Sequence, residues 1–227
     1  MLTAVAIIPS APVLVPELAG TAAAEIADLT VAVRSAAAAL PPRWIGVGVD
    51  TVARRVGSQA AGTFGGYGAD VRVALSPGAQ ETADLPLCAL ITAWVRGLVA
   101  PRARAETYCY PTSLAADAAV AQGRTLRAEI DGAAEPVGVL VVADGCHTLT
   151  PPAPGGYDPA SPTVQAGLDD ALAAGDTAAL TRLPAGVIGR AAFGVLAGLT
   201  GGGPAAAREL YRGAPYGVGY FVGVWQP

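Results

Sequence analysis

Aspartate, cysteine and the only histidine of the chain stand together at Asp144-Gly145-Cys146-His147. An imidazole beside a carboxylate is suited to proton transfer near neutral pH, with Asp144 or Asp158 tuning His147 as a general acid/base. The plainer alternative is a loop histidine hydrogen-bonded to backbone. Cys146 invites a Cys-His nucleophilic reading. Neighbours on an extended backbone point to opposite faces, however, so direct contact between Cys146 and His147 is not expected. Two more polar residues follow apolar runs: Ser10 in Pro9-Ser10-Ala11-Pro12, and Asp50 in Val49-Asp50-Thr51. Either could face the same cleft, or simply belong to a turn. His147 and Asp144 are therefore the candidate catalytic pair. Ser10, Asp50, Cys146 and Asp158 are the candidate pocket.

These residues need strands to deliver them. The segment 139–159, VLVVADGCHTLTPPAPGGYDP, is an apolar β-branched run that stops at Asp144 and passes into a Pro/Gly-rich loop. A buried strand presents polar residues at a sheet end in this way. Residues 2–8, 44–49, 71–75, 105–110, 137–143 and 217–225 read as strands. Residues 21–40 read as an alanine-rich helix capped by Thr21, and 113–130 as a helix capped by Ser113. Residues 81–99 read as a helix kinked near Pro86. Short helices are expected at 162–174, 177–183, 187–199 and 204–211, with Asp176 and Pro204 at two of the starts. Alternating strands and helices predict an α/β fold, a three-layer α/β/α sandwich with a central mixed β-sheet. No linker or repeat divides the chain, so one domain over 1–227 is expected.

Composition narrows the chemistry. All fourteen basic residues are arginine, and the chain has neither lysine nor asparagine. GC-rich coding explains that bias most simply, yet it excludes lysine Schiff bases and lysine-bearing phosphate loops. A net charge of −4 with scattered arginines argues against nucleic acid. No apolar run reaches the ~18 residues of a membrane span, and the N-terminus lacks a basic leader region. A cytoplasmic protein is expected, without membrane contact. Cys88, Cys109 and Cys146 lack any CxxC spacing, so neither a disulfide framework nor structural zinc is expected. Cys88 reads as a small core residue and Cys109 as a strand residue. The glycines of 63–68 precede a strand rather than a helix, so they are not a dinucleotide fingerprint. Gly201-Gly202-Gly203-Pro204 has the look of a phosphate-cradling turn, although a plain interhelical loop is the commoner case.

Taken in order, IIPSAPVLVPELAG, TFGGYGADVRVAL, VVADGCHTLTPPAPGGYDP and APYGVGYFVGVW resemble segments of the class III extradiol ring-cleavage dioxygenases, the LigB superfamily, in its short actinobacterial form. The central segment is the specific one. The resemblance implies the same three-layer sandwich. It also implies an Fe(II) site of two histidines and one glutamate, with a further histidine as acid/base in catechol cleavage. His147 matches the acid/base histidine. Ser10 stands where the first iron histidine would be, the second falls among Gly48, Val49 and Asp50, and Val187 stands where the glutamate would be. A 2-His-1-carboxylate centre needs two imidazoles, and this chain has one.

Two functions follow as expectations. The first is a scaffold of this descent without the iron, binding a small molecule or a protein partner in a cleft around His147, with no metal cofactor. The second is an enzyme with a rebuilt site that uses His147 as acid/base, with or without a divalent metal, on an aromatic or other substrate. The apolar, lysine-free composition is compatible with a homodimer.

Overall fold

The computed structural model describes residues 1–227, except for the side chains of Thr21 and Ala22. Its frame is a seven-stranded mixed sheet. Four strands form its parallel centre: β1 (Leu2–Ile8), β2 (Arg43–Asp50), β7 (Arg104–Pro111) and β8 (Val137–Val142). Their spatial order is β7-β2-β8-β1, and every adjacent pair is parallel. The antiparallel strands β10 (Tyr220–Gln226) and β9 (Ala206–Gly213) extend the β1 edge, and β3 (Arg54–Val56) closes the β7 edge. A separate three-stranded sheet joins β4 (Ala60–Thr63), β5 (Arg72–Ala74) and the two-residue β6 (Glu81–Thr82).

Helices cover both faces. A single turn, α1 (Pro16–Ala19), follows β1. Ala6, Ile8, Leu140 and Val142 face α2 (Ala27–Ala37) and α3 (Leu87–Val99). Val5, Ile7, Val139 and Val141 face α4 (Ala116–Asp131), α5 (Ser161–Ala174) and α7 (Arg190–Thr200). Burial on both faces is why β1 and β8 read as apolar runs rather than alternating ones. In β2 the alternation is of size. Ile45 and Val47 fill one side, while a Cβ at Gly46 or Gly48 would lie 2.6 Å from Thr92 Oγ1 or 2.3 Å from Cys88 Cβ. The two glycines thus let α3 lie close against the sheet. The largest buried side chains are also hydrogen-bonded: Trp44 Nε1 donates to the Pro41 carbonyl at 2.6 Å and Trp225 Nε1 to that of Leu172 at 2.8 Å. No helix among the described residues is long and apolar enough to cross a membrane.

Several local expectations change. The helix expected over 21–40 is α2, Ala27–Ala37, preceded by Ile26. The Thr21 cap lies outside the described residues. Pro86 does not kink a long helix but stands at the N-terminal boundary of α3, where a missing N–H costs nothing, and Glu81–Thr82 pairs with β4 instead. Ser113 does not cap α4, which starts at Ala116 behind Ala115. Asp176 does cap the short α6 (Thr177–Leu180), its Oδ1 accepting from the Ala179 N–H at 3.0 Å. The segment 204–211, rich in good helix formers, is the edge strand β9. Pairing with β10 overrides its local propensity, and Gly201 and Gly203 turn the chain into it at φ +59° and +106°.

Candidate functional site

Past Val142 the β8 chain does not leave the sheet at once. Ala143 N–H still donates to Ile8. Gly145 and Cys146 then exchange hydrogen bonds with Gly219, at 2.9 and 2.8 Å, on one side. On the other side Ile188 and Gly189 donate to the carbonyls of Gly145 and Asp144, at 3.1 and 2.9 Å. Asp144 through Cys146 therefore form the middle of a narrow ribbon held on both edges, ahead of His147. Gln165 of α5 fixes this crossing. Its side chain fills the space where Gly145 or Gly219 would carry a Cβ, each of which would come to 2.1 Å from it. Its Oε1 accepts from Cys146 N–H and its Nε2 donates to Asp169, both at 2.8 Å. Burial pushes the Asp169 carboxyl up to about 6.

Within this frame the candidate residues separate. Asp144 turns to the β1 end, where Oδ1 accepts the Ser10 backbone N–H at 2.8 Å. Ser10 thus contributes its main chain to Asp144. Burial pushes the Asp144 carboxyl up to about 7, with the Ser10 N–H pulling it partly back. The same carboxylate helps raise the Tyr220 phenol, behind the larger effect of burial. Asp50 is engaged elsewhere. Arg54 meets its Oδ2 through Nε at 2.9 Å and Nη2 at 2.8 Å, and Oδ1 accepts from Thr51 N–H. Asp158 is exposed, and its Oδ1 accepts from Ala160 N–H just before α5.

His147 lies against the returning loop. Gly155 donates its N–H to the His147 carbonyl at 3.0 Å, and a Cβ on Gly155 would come within 2.6 Å of imidazole Nε2. Glycine is what allows the loop to cover the ring. Nδ1 is buried without a hydrogen-bond partner among the described residues. Among the described residues no hydrogen bond or ion pair joins His147 to Ser10, Asp50, Asp144 or Asp158. Cys146 is fully buried, bridged across the ribbon to Val187, with its thiol raised by burial. Such a thiol is a weak nucleophile.

The residues do not fit a ring-cleavage iron. Val187 is buried in apolar surroundings and offers no donor atom. Asp50 is neutralised by Arg54. No group of three or more His, Cys, Asp and Glu is gathered in a metal-binding arrangement among the described residues. Sequence reasoning missed Gln165 as the support of the ribbon, although its spacing of four from Asp169 on a helix was a usable signal. It also missed the pairing of buried Cys88 and Cys109, whose sulfurs lie 3.4 Å apart in hydrogen-bond contact.

No protein-family description matches the chain by sequence, and no curated protein does. The fold itself is shared. The crystal structure of an uncharacterized protein from Escherichia coli K12 superposes with a TM-score of 0.59 at 12% identity, covering 98% of this chain and 99% of that one. At that identity the likeness concerns the fold.

Proposed function

We propose that the chain is a LigB-like scaffold that has lost the ring-cleavage iron and binds a small molecule or a partner at the strand ends around His147 and Asp144. The carrying observation is the fate of the matched positions. Ser10 engages Asp144 through its backbone, Asp50 is clamped by Arg54, and Val187 is sealed into the core. None of the three positions supplies an imidazole or an unpaired carboxylate: Ser10 has only a hydroxyl, Asp50 is held by Arg54, and Val187 has no donor atom. What persists is a built strand end: a carboxyl near neutrality, an imidazole under a glycine loop, and a braced ribbon between them.

A second reading, an enzyme rebuilt around His147, draws support from one feature. The buried Nδ1 lacks a partner, and an unsatisfied buried polar atom is costly enough to ask for a function. In that reading Nδ1 would meet a substrate hydroxyl or carbonyl, and Asp144 would hold or release a proton.

Oxygen uptake separates the readings from the ancestral chemistry. Protein supplied with Fe(II) and a catechol is expected to consume no more oxygen than free Fe(II), and His147→Ala to match wild type. Catechol-dependent uptake that falls by roughly 10²–10⁴ in His147→Ala would overturn the proposal.

A further inference from the structure

A second groove lies away from the strand end that carries His147. α3 runs antiparallel to β2, because Cys88 meets Gly48 and Thr92 meets Gly46. Its C-terminal half therefore reaches the opposite end of the sheet, where it faces β4, β5 and β6. Between them is a groove of about 810 Å³. That is within the roughly 300–1,000 Å³ of small-molecule sites.

Its lining is amphipathic and net cationic. Trp94, Leu98 and Val73 supply apolar surface. Arg72 and Arg96 supply two positive charges against the single carboxylate of Asp70, which is itself held by the Thr63 hydroxyl at 2.6 Å. Arg96 is the unusual member. It is only 6% exposed, and no carboxylate pairs with it among the described residues. Its Nε donates to Ala74 at 2.9 Å, and its Nη1 donates to Pro101 at 2.8 Å and to Ala103 at 3.1 Å, carbonyls in every case. Those bonds fix the plane of the guanidinium while leaving Nη2 without a hydrogen-bond partner among the described residues. Burial without a counter-charge also lowers the pKa of Arg96. A desolvated, oriented guanidinium with one free arm favours an anion. Arg72, exposed on β5, makes no ion pair among the described residues.

We propose that this groove binds an amphiphilic organic anion, a carboxylate or phosphate group on a flat apolar body, with the anion on Arg96 and Arg72 and the body against Trp94 and Leu98. This site is independent of the strand-end site. An apolar ligand alone would leave the two cations unanswered. A small inorganic anion would leave the apolar wall wet.

Fluorescence tests the proposal directly. Trp44 and Trp225 are fully buried, so Trp94 is the accessible indole of the three. The probe is 8-anilinonaphthalene-1-sulfonate, compared with N-phenyl-1-naphthylamine, the same skeleton without the sulfonate. The sulfonate is expected to bind one to one, to quench Trp94, and to bind about tenfold more tightly than the neutral compound, as one charge-assisted hydrogen bond would give. Arg96→Gln would unmake the carbonyl contacts as well, so two other variants carry the test. Arg72→Gln should weaken the sulfonate but not the neutral probe. Gly97→Trp should abolish both, because a Cβ at Gly97 meets nothing within 4 Å and a ring there occupies the groove. Equal affinity for the two probes, unchanged binding in Gly97→Trp, or no binding to wild type would each overturn the proposal.

Discussion

Gly123→Ala is expected to destabilise the protein by about 1–3 kcal/mol, although alanine is the better helix former by about 1 kcal/mol. The reason is a backbone-to-backbone approach. A Cβ at Gly123 on α4 would lie 2.1 Å from the Val195 carbonyl oxygen and 2.7 Å from the Leu199 nitrogen on α7. From the other side, a Cβ at Gly198 would lie 2.0 Å from the Val120 carbonyl oxygen. Neither clash is relieved by turning a side chain, so the helices must move apart. Separation opens the core beneath and pulls on Gly189, whose N–H donates to Asp144 at the start of α7. The loss should therefore reach the strand-end ribbon. Gly97→Ala on α3 is the control. Its Cβ enters open space, so the substitution should stabilise by about 0.5–1 kcal/mol. Urea unfolding midpoints measure both. A Gly123→Ala protein as stable as wild type would show that α4 and α7 are not in backbone contact.

Asp144→Asn is expected to gain stability over wild type as pH rises from about 4 to about 7, and to gain no more above that. The sign follows from proton binding. The folded-state carboxyl titrates near 7, against an ordinary value of 3.8. Between those values the folded chain holds the proton and the unfolded chain releases it, so rising pH favours unfolding. Asparagine cannot ionise, and its oxygen still accepts the Ser10 N–H. The full shift corresponds to at most ~4 kcal/mol, and because Asp144 keeps some contact with solvent, about 2 kcal/mol is expected near pH 8 and nearly none near pH 4. Parallel stability curves for the two proteins across that window would place Asp144 in ordinary solvent and remove it from the site.

The parts of the fold legible in sequence are those that burial writes into residue type. β1, β2 and β8 lie in the buried centre, and their Val, Ile and Leu residues mark them as strands. The edge strand β9 was not legible, because Ala206 to Gly213 sit half exposed and their alanines, arginines, glutamate and leucine carry a helical preference. The start of α3 was missed for a related reason. Pro86 is tolerated equally at a helix boundary and at a kink, and the strand contact of Glu81–Thr82 depends on distant β4. At the site, sequence reasoning found the segments but not the partners. That Ser10 lies near Asp144 depends on β1 pairing with β8, and the contact is made by a backbone N–H that every residue except proline possesses. That Asp50 is neutralised depends on Arg54 turning back along β3. The Ser10 contact spans 134 residues, and pairing over that range is not encoded in spacing.

Metal content of protein purified without chelator, incubated anaerobically with Fe(II) and then desalted, tests the central claim most directly. A strand end that offers a serine at Ser10, an Arg54-bound Asp50 and an apolar Val187 predicts iron far below one equivalent per chain, with His147→Ala and wild type alike. One iron retained per wild-type chain and lost in His147→Ala would contradict it.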